Sequence, residues 1–172
     1  MEFNNQPNFK VKDEATGQEH WVSRSIAVVA IPLFRFHKCY WIPMGLRSDK
    51  VPQSGKWGLP CGFLDYNESA SQAVRREIWE ELGLELGEEE VNSQPNAVMS
   101  DPFDGDDQAV GLRFIIHKSV NELPLLRPGK EVSSAVWLPV CLITATNGNQ
   151  IIPVEGMDMA YNHAEIIKWS LS

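Results

Sequence analysis

The sequence predicts an α/β fold in a single domain, residues 1–172, and three stretches carry that expectation. Residues 25–34, SIAVVAIPLF, form a continuous apolar run rich in β-branched side chains, the pattern of a strand buried on both faces. Residues 70–82 place Val74, Ile78 and Leu82 on one helical stripe, between a capping signal at Ser69 and a glycine at Gly83. Residues 155–172 read as a terminal helix, with Met159, Ile166, Ile167 and Leu171 available to cover a sheet. A length of 172 with 43% hydrophobic and 22% charged residues suits one domain with a substantial core.

Taken in order, the opening MEFNNQPNFKVKDE lacks the basic region and apolar core of a signal peptide, so a cytoplasmic location is expected. Residues 1–7 are expected to be mobile. Residues 9–12 and 20–22, separated by the turn signal Glu14-Ala15-Thr16-Gly17, predict a hairpin with His20 on its surface. The apolar run at 25–34 is too short to span a membrane, and Pro32 is expected to weaken it. Residues 39–47 are a second strand, bulged or partly at an edge because of Pro43. Arg24 and Arg47, at the ends of these strands, are exposed cations by default. Residues 51–60, VPQSGKWGLP, form a loop in which Trp57 packs or, less simply, stacks on a base.

The stretch from Gly62 to Leu84, GFLDYNESASQAVRREIWEELGL, carries the chemistry. Ser69 followed by Gln72 is a capping box, so a helix begins at Ala70, and Gly83 can close it in the left-handed conformation. On that helix Glu77, Glu80 and Glu81 fall within roughly a third of the circumference. Such carboxylates repel one another, and two of them lie at the end where the helix dipole disfavours negative charge. One reading is a solvated acidic face with Arg75 and Arg76 as partners. The other is a hard divalent cation held by oxygen ligands.

Written as spacing, these residues give G-x5-E-x7-R-E-U-x-E-E-x-G-U, with U aliphatic, a pattern expected by chance roughly a few times in 10⁹ starts. The stretch resembles the Nudix box at every defined position. The resemblance implies a Nudix-type α/β/α sandwich with a mixed β-sheet, and hydrolysis of a nucleoside diphosphate linked to another moiety, with Mg²⁺ or Mn²⁺. It implies Glu77, Glu80 and Glu81 as metal ligands together with the Gly62 carbonyl. Glu68 and Arg76 would orient loop and helix, and Glu77 would be ligand or general base. Cys61 stands where the family usually has glycine, and Asp65 and Asn67 also depart from its common residues; Asn67 tolerates the positive φ such a turn needs. W-x-L-P at residues 57–60 is also how Nudix chains commonly approach the box.

After the box, residues 85–92 read as a solvated acidic loop. The turn-rich residues 101–107 bring Asp104, Asp106 and Asp107, the second candidate source of a base or an extra metal ligand. A strand is expected over residues 108–117, with Arg113 facing either cleft or solvent. Trp137-Leu138-Pro139 resembles the passage from strand to helix near the end of such folds, and His163 is expected to be structural. Arg24, Arg47, Trp57 and Arg113 are the candidate substrate contacts.

A net charge of -8, with no basic stripe, argues against nucleic acid as a partner. It also means that bound cations must draw in a diphosphate. Cys39, Cys61 and Cys141 are odd in number and far apart, which excludes a disulfide framework or zinc ribbon. No membrane partner is expected, and a homodimer is left open. Ser93-Gln94-Pro95 echoes the NADH pyrophosphatase subgroup, but Asn96-Ala97-Val98-Met99 breaks the longer pattern. The proline that marks many ADP-ribose pyrophosphatases is replaced by Met99 and Ser100. ADP-ribose or a nucleotide sugar is the favoured small-molecule substrate. NADH or a nucleoside triphosphate is the alternative, and so is a Nudix domain that senses a nucleotide without turnover.

Overall fold

A computed structural model describes residues 9–101, 109–139 and 157–171. The hairpin forms as the turn chemistry predicts: β1 (Phe9–Lys12) pairs antiparallel with β2 (Glu19–Val22), Phe9 opposite Val22. The Asp13 carboxylate accepts from the amides of Ala15 and Thr16 at 2.8 and 3.2 Å, and Gly17 takes a φ of 74°.

Seven strands form the main sheet: β3 (Ile26–Phe36), β4 (Cys39–Arg47), β5 (Trp57–Gly58), β6 (Cys61–Phe63), β7 (Ala97–Met99), β8 (Val110–Ser119) and β9 (Val132–Pro139). Their order is β5-β4-β3-β8-β7, with β6 added to β3 and β9 to β4. β3 and β8 run parallel, from Ile26 opposite Val110 to Arg35 opposite Ser119, and the other pairings are antiparallel, so the sheet is mixed.

Pro32 does not weaken β3, contrary to expectation. Ala30 donates sideways to the Pro60 carbonyl at 2.9 Å, so Pro32, two residues on, turns its nitrogen to the same side. On that side β6 pairs only through Val29 and β4 only from Phe34, which leaves a gap where no donor is needed. Pro43 uses a similar gap, between the β3 pairing that ends at Trp41 and the β5 pairing that begins at Gly45. The irregularity in β4 falls at Leu46/Arg47 instead.

Side-chain alternation along β3 divides the interior into two layers. Val28, Ala30 and Phe34 face α1 (Ala70–Leu82), packing with Val74, Ile78 and Leu82. Ile31 and Leu33 face the opposite side, with Ile42, Met44 and Leu138, under Ile166 and Ile167 of α2 (His163–Ser170). The result is an α/β/α arrangement. α2 is shorter than expected, because residues 157–162 are not helical. Trp57 donates to the Asp158 carbonyl at 2.7 Å and accepts from the Ala160 amide at 2.8 Å, which holds that segment extended beside β5. The loop at 85–92 is also more fixed than its charge suggests. Leu86 and Val91 are buried, and Glu90 pairs with Lys118 at 2.7 Å.

The ends of α1 are fixed as the local sequence dictates. Ser69 Oγ accepts from the Gln72 amide at 3.3 Å, Gln72 Oε1 accepts from the Ser69 amide at 2.7 Å, and Gly83 adopts a φ of 67°. Residues 121–130 then clasp the far end. The amides of Arg127 and Gly129 donate to the last-turn carbonyls of Leu82 and Glu81, at 2.8 and 3.1 Å. Gly129 comes so close that a Cβ there would overlap the Glu80 carbonyl. Among the described residues no helix is long and apolar enough to cross a membrane.

Candidate active site

A carboxylate four residues before another on a helix lies about 40° from it around the axis, and in α1 this puts Glu77 and Glu81 on the edge of the buried stripe rather than on a separate outward face. They are 7% and 5% exposed, whereas Glu80 is half exposed. Burial pushes Glu77 above the usual carboxylate range and takes Glu81 up to about 8. The Cys61 amide donates to Glu81 Oε1 at 3.4 Å. Gly62 faces Glu77 so closely that a Cβ there would overlap the carboxylate, a physical reason for glycine at that position.

Arg76 ties the strand, the loop and the helix together. It grips Glu68 with Nη2 and Nε at 2.7 and 3.1 Å and donates to the Phe63 carbonyl at 3.0 Å. Its Nη1 reaches Glu77 at 2.6 Å and Glu80 at 3.1 Å. Arg76 holds the Glu68 carboxyl below its ordinary range, and Glu68 in turn raises the guanidinium. The turn before Glu68 uses Asn67 at a φ of 64°, as its residue type allows.

Among the described residues no three acidic, histidine or cysteine side chains close on a single point, since Arg76 stands between Glu77 and Glu80. The donor set nevertheless suits a hard cation. It consists of oxygens, two of the carboxylates are desolvated, and Glu81 has no ion pair of its own among the described residues. Glu131, just before β9, was not singled out from the sequence, although its charge raises both Glu77 and Glu81. No motif spacing links it to the box.

Of the four candidate substrate contacts, Arg47 comes nearest the carboxylates. Its Nη1 is 3.9 Å from Cys61 Sγ, its Nε donates to the Pro52 carbonyl at 2.7 Å, and its guanidinium lies 5.3 Å over the Tyr161 ring. Cys61 is a covered thiol, pushed up to about 12 by burial, and so a packing residue in this position. Arg24 is drawn elsewhere, to the carbonyls of Ser100 and Ala109 at 2.7 and 3.4 Å. Trp57 packs on the α2 side. Arg113 is buried on β8 under the Trp169 ring rather than exposed. Asp104, Asp106 and Asp107 lie outside the described residues.

His163 is structural in the sense expected of it. It is 2% exposed, and Nδ1 accepts from the Leu59 amide at 3.0 Å. Burial first, then the charges of Arg47 and Arg113, hold it down to about 4, against an ordinary 6.5. The unfolded chain therefore binds the proton before the folded one does. Stability is full above about pH 6.5 and falls as the pH drops toward 4, by about 3 kcal/mol for this group. Thermal melts from pH 7 to 4 should show this fall, reduced in His163→Gln; an equal fall in both proteins would assign the acid sensitivity to other groups.

The sequence model of the NUDIX domain matches residues 23–153, which take in all seven strands of the main sheet, α1 and the whole carboxylate cluster. The chain belongs to the Nudix family. Over 42 residues this Nudix domain is 45% identical to Nudix hydrolase 19, chloroplastic, of Arabidopsis thaliana, a match covering 24% of this chain and 9% of the plant protein. Solved structures share the fold. A MutT/nudix family protein from Enterococcus faecalis is 22% identical at a TM-score of 0.68, covering 86% of this chain and 61% of that one. The NUDIX domain of Shewanella oneidensis NrtR, complexed with ADP ribose, is 20% identical at 0.62, covering 87% and 88%. A bifunctional NMN adenylyltransferase/ADP ribose pyrophosphatase from Francisella tularensis, complexed with AMP and a Mn ion, is 22% identical at 0.64, covering 87% and 41%. The chain thus spans a small part of the plant relative, and under two thirds of the Enterococcus and Francisella proteins.

Proposed function

We propose that this Nudix domain is a metal-dependent pyrophosphohydrolase acting on a nucleoside diphosphate derivative of the ADP-ribose or nucleotide-sugar type. The observation that supports it most is the pair of buried carboxylates, Glu77 and Glu81, the first of them set against a glycine that alone leaves it room. Glu77 has the Arg76 guanidinium beside it, whereas Glu81 has no ion pair among the described residues, and a desolvated acid is stable as an anion only with a cation near it. Glu77, Glu80, Glu81 and the Gly62 carbonyl would hold Mg²⁺ or Mn²⁺, which supplies charge neutralisation of the diphosphate and a more acidic water.

The chain's own residues do the rest. Arg76 fixes α1 against the Gly62–Phe63 backbone through Glu68, so that the carboxylates keep their place. Arg47 offers a cation at the rim beside Cys61. The water oxygen bonds to phosphorus, the bridging P–O bond breaks, and the water's proton passes to a carboxylate. We assign that base to Glu77, ahead of Glu131 and of Asp104, Asp106 and Asp107.

The test is a panel of ADP-ribose, nucleotide sugars, NADH, dinucleoside polyphosphates and nucleoside triphosphates, assayed with Mg²⁺ and Mn²⁺ in ¹⁸O-labelled water. The expected result is metal-dependent turnover, fastest for ADP-ribose or a nucleotide sugar, with label in a phosphate product. Label in a sugar alone would mean a glycosidic cleavage. Absence of turnover on every member would leave a nucleotide-sensing domain.

A further inference from the structure

Tyr161 stands at the turn into α2 with a φ of 47°, in the left-handed region that a bulky side chain enters only with backbone strain. Asparagine or glycine takes such a turn more easily. The backbone on either side is fixed without the ring: the Ala160 amide donates to the Trp57 carbonyl at 2.8 Å, and the His163 amide to the Ala160 carbonyl at 3.1 Å. Nor is the ring part of the core. It is 46% exposed and lies outside the apolar cluster that α2 covers.

The ring meets Arg47, whose guanidinium lies 5.3 Å over it. Arg47 is itself aimed by the Pro52 carbonyl and the Cys61 sulfur, at 2.7 and 3.9 Å, and no carboxylate among the described residues pairs with it. Cys61 joins this arrangement to the carboxylates. The segment from Trp57 to Phe63 begins against β4 and ends against β3. On it Cys61 aligns with Val29, which packs on the α2 side, so the sulfur lies on that face, while the Cys61 amide donates to Glu81 of α1. Arg47 is close enough to Glu81 for its charge to favour the anion there. Glu81, Cys61, Arg47 and Tyr161 thus form one line of contacts, leading from the carboxylates around the crossing strand to an exposed aromatic ring. A nucleotide with its phosphates at the head of that line offers an anion to Arg47 and a flat base to the ring.

We propose that Tyr161 is a specificity-determining residue on which the nucleobase of the substrate stacks, with Arg47 holding the phosphate next to the nucleoside. This rests on the pyrophosphohydrolase reading for the place of the diphosphate, but the binding measurement that tests it needs no turnover.

The experiment measures binding of AMP and of ribose 5-phosphate by calorimetry, with Mg²⁺ present. The two probes carry the same sugar phosphate, so the difference reports the base. The parent should bind AMP about tenfold more tightly than ribose 5-phosphate. Tyr161→Phe should keep that preference, and Tyr161→Asn and Tyr161→Leu should lose it. Arg47→Gln should weaken both probes, since both carry the phosphate. Tyr161→Asn also suits the left-handed turn and should melt no lower than the parent, which separates loss of the base contact from loss of the fold. No preference for AMP in the parent, a preference unchanged in Tyr161→Asn or lost in Tyr161→Phe, or a Tyr161→Asn protein that melts well below the parent would overturn the proposal. In turnover of ADP-ribose, Tyr161→Asn should raise KM about tenfold and leave kcat nearly unchanged. A parent that hydrolyses no nucleotide defeats the pyrophosphohydrolase reading, while the AMP preference still decides Tyr161.

Discussion

Glu81→Gln should lower metal-dependent hydrolysis by on the order of 10³, the loss of several kcal/mol of charge stabilisation at the reacting phosphate, while the metal-free protein melts no lower than its parent. The second half of that expectation separates chemistry from packing. Glu81 is 5% exposed, pushed up to about 8 by burial, and held by one long bond from the Cys61 amide. The neutral amide keeps the volume and removes the desolvated charge. The rise in melting temperature on adding Mn²⁺ to the parent should also shrink in the variant, by mass action. Turnover within a few-fold of the parent would remove Glu81 from the metal set.

Gly62→Ala is expected to approach the same loss by a different route. The added methyl would overlap the Glu77 carboxylate, so either Glu77 turns away or β6 moves off β3. The first outcome removes a ligand or base; the second displaces the Gly62 carbonyl. Restoring space with Gly62→Ala/Glu77→Asp should recover part of the thermal stability and little of the rate. A Gly62→Ala protein with parental kcat/KM would show that Glu77 is free to reposition, and would point to Glu131 as the base.

The parts of the fold that depend on neighbours in sequence were legible before the structure. The helix from Ala70 to Leu82 declares both its ends through Ser69, Gln72 and Gly83, and the run SIAVVAIPLF can be little other than a buried strand. What depends on distant partners was not. β7 is three residues long, and β9 hides its alternation behind Ser133 and Ser134. The start of α2 is decided by Trp57, over a hundred residues away in the chain, which keeps residues 158–160 extended.

The site divides in the same way. The carboxylates and the Arg76–Glu68 pair follow from spacing. Spacing did not show that Glu81 sits among the apolar positions of its helix, because a stripe drawn through Val74, Ile78 and Leu82 ignores what lies beneath the strand that crosses it. Nor could spacing join Glu131 to Glu81, or Arg113 to Trp169, since each pair meets only once the sheet is assembled.

The coil at residues 121–130 contributes no side chain to the carboxylate cluster, yet it supplies amides to the very carbonyls of Glu81 and Leu82 that end the helix, and its glycine lies against Glu80. Selection for turnover would therefore be felt in this segment as sharply as in the box. A lineage could drift there, keep every acid in place, and still fall silent as the last helical turn rotates away from Gly62. In a deep mutational scan read out on hydrolysis, Gly129 should rank with the glutamates, and in one read out on abundance it should rank above them.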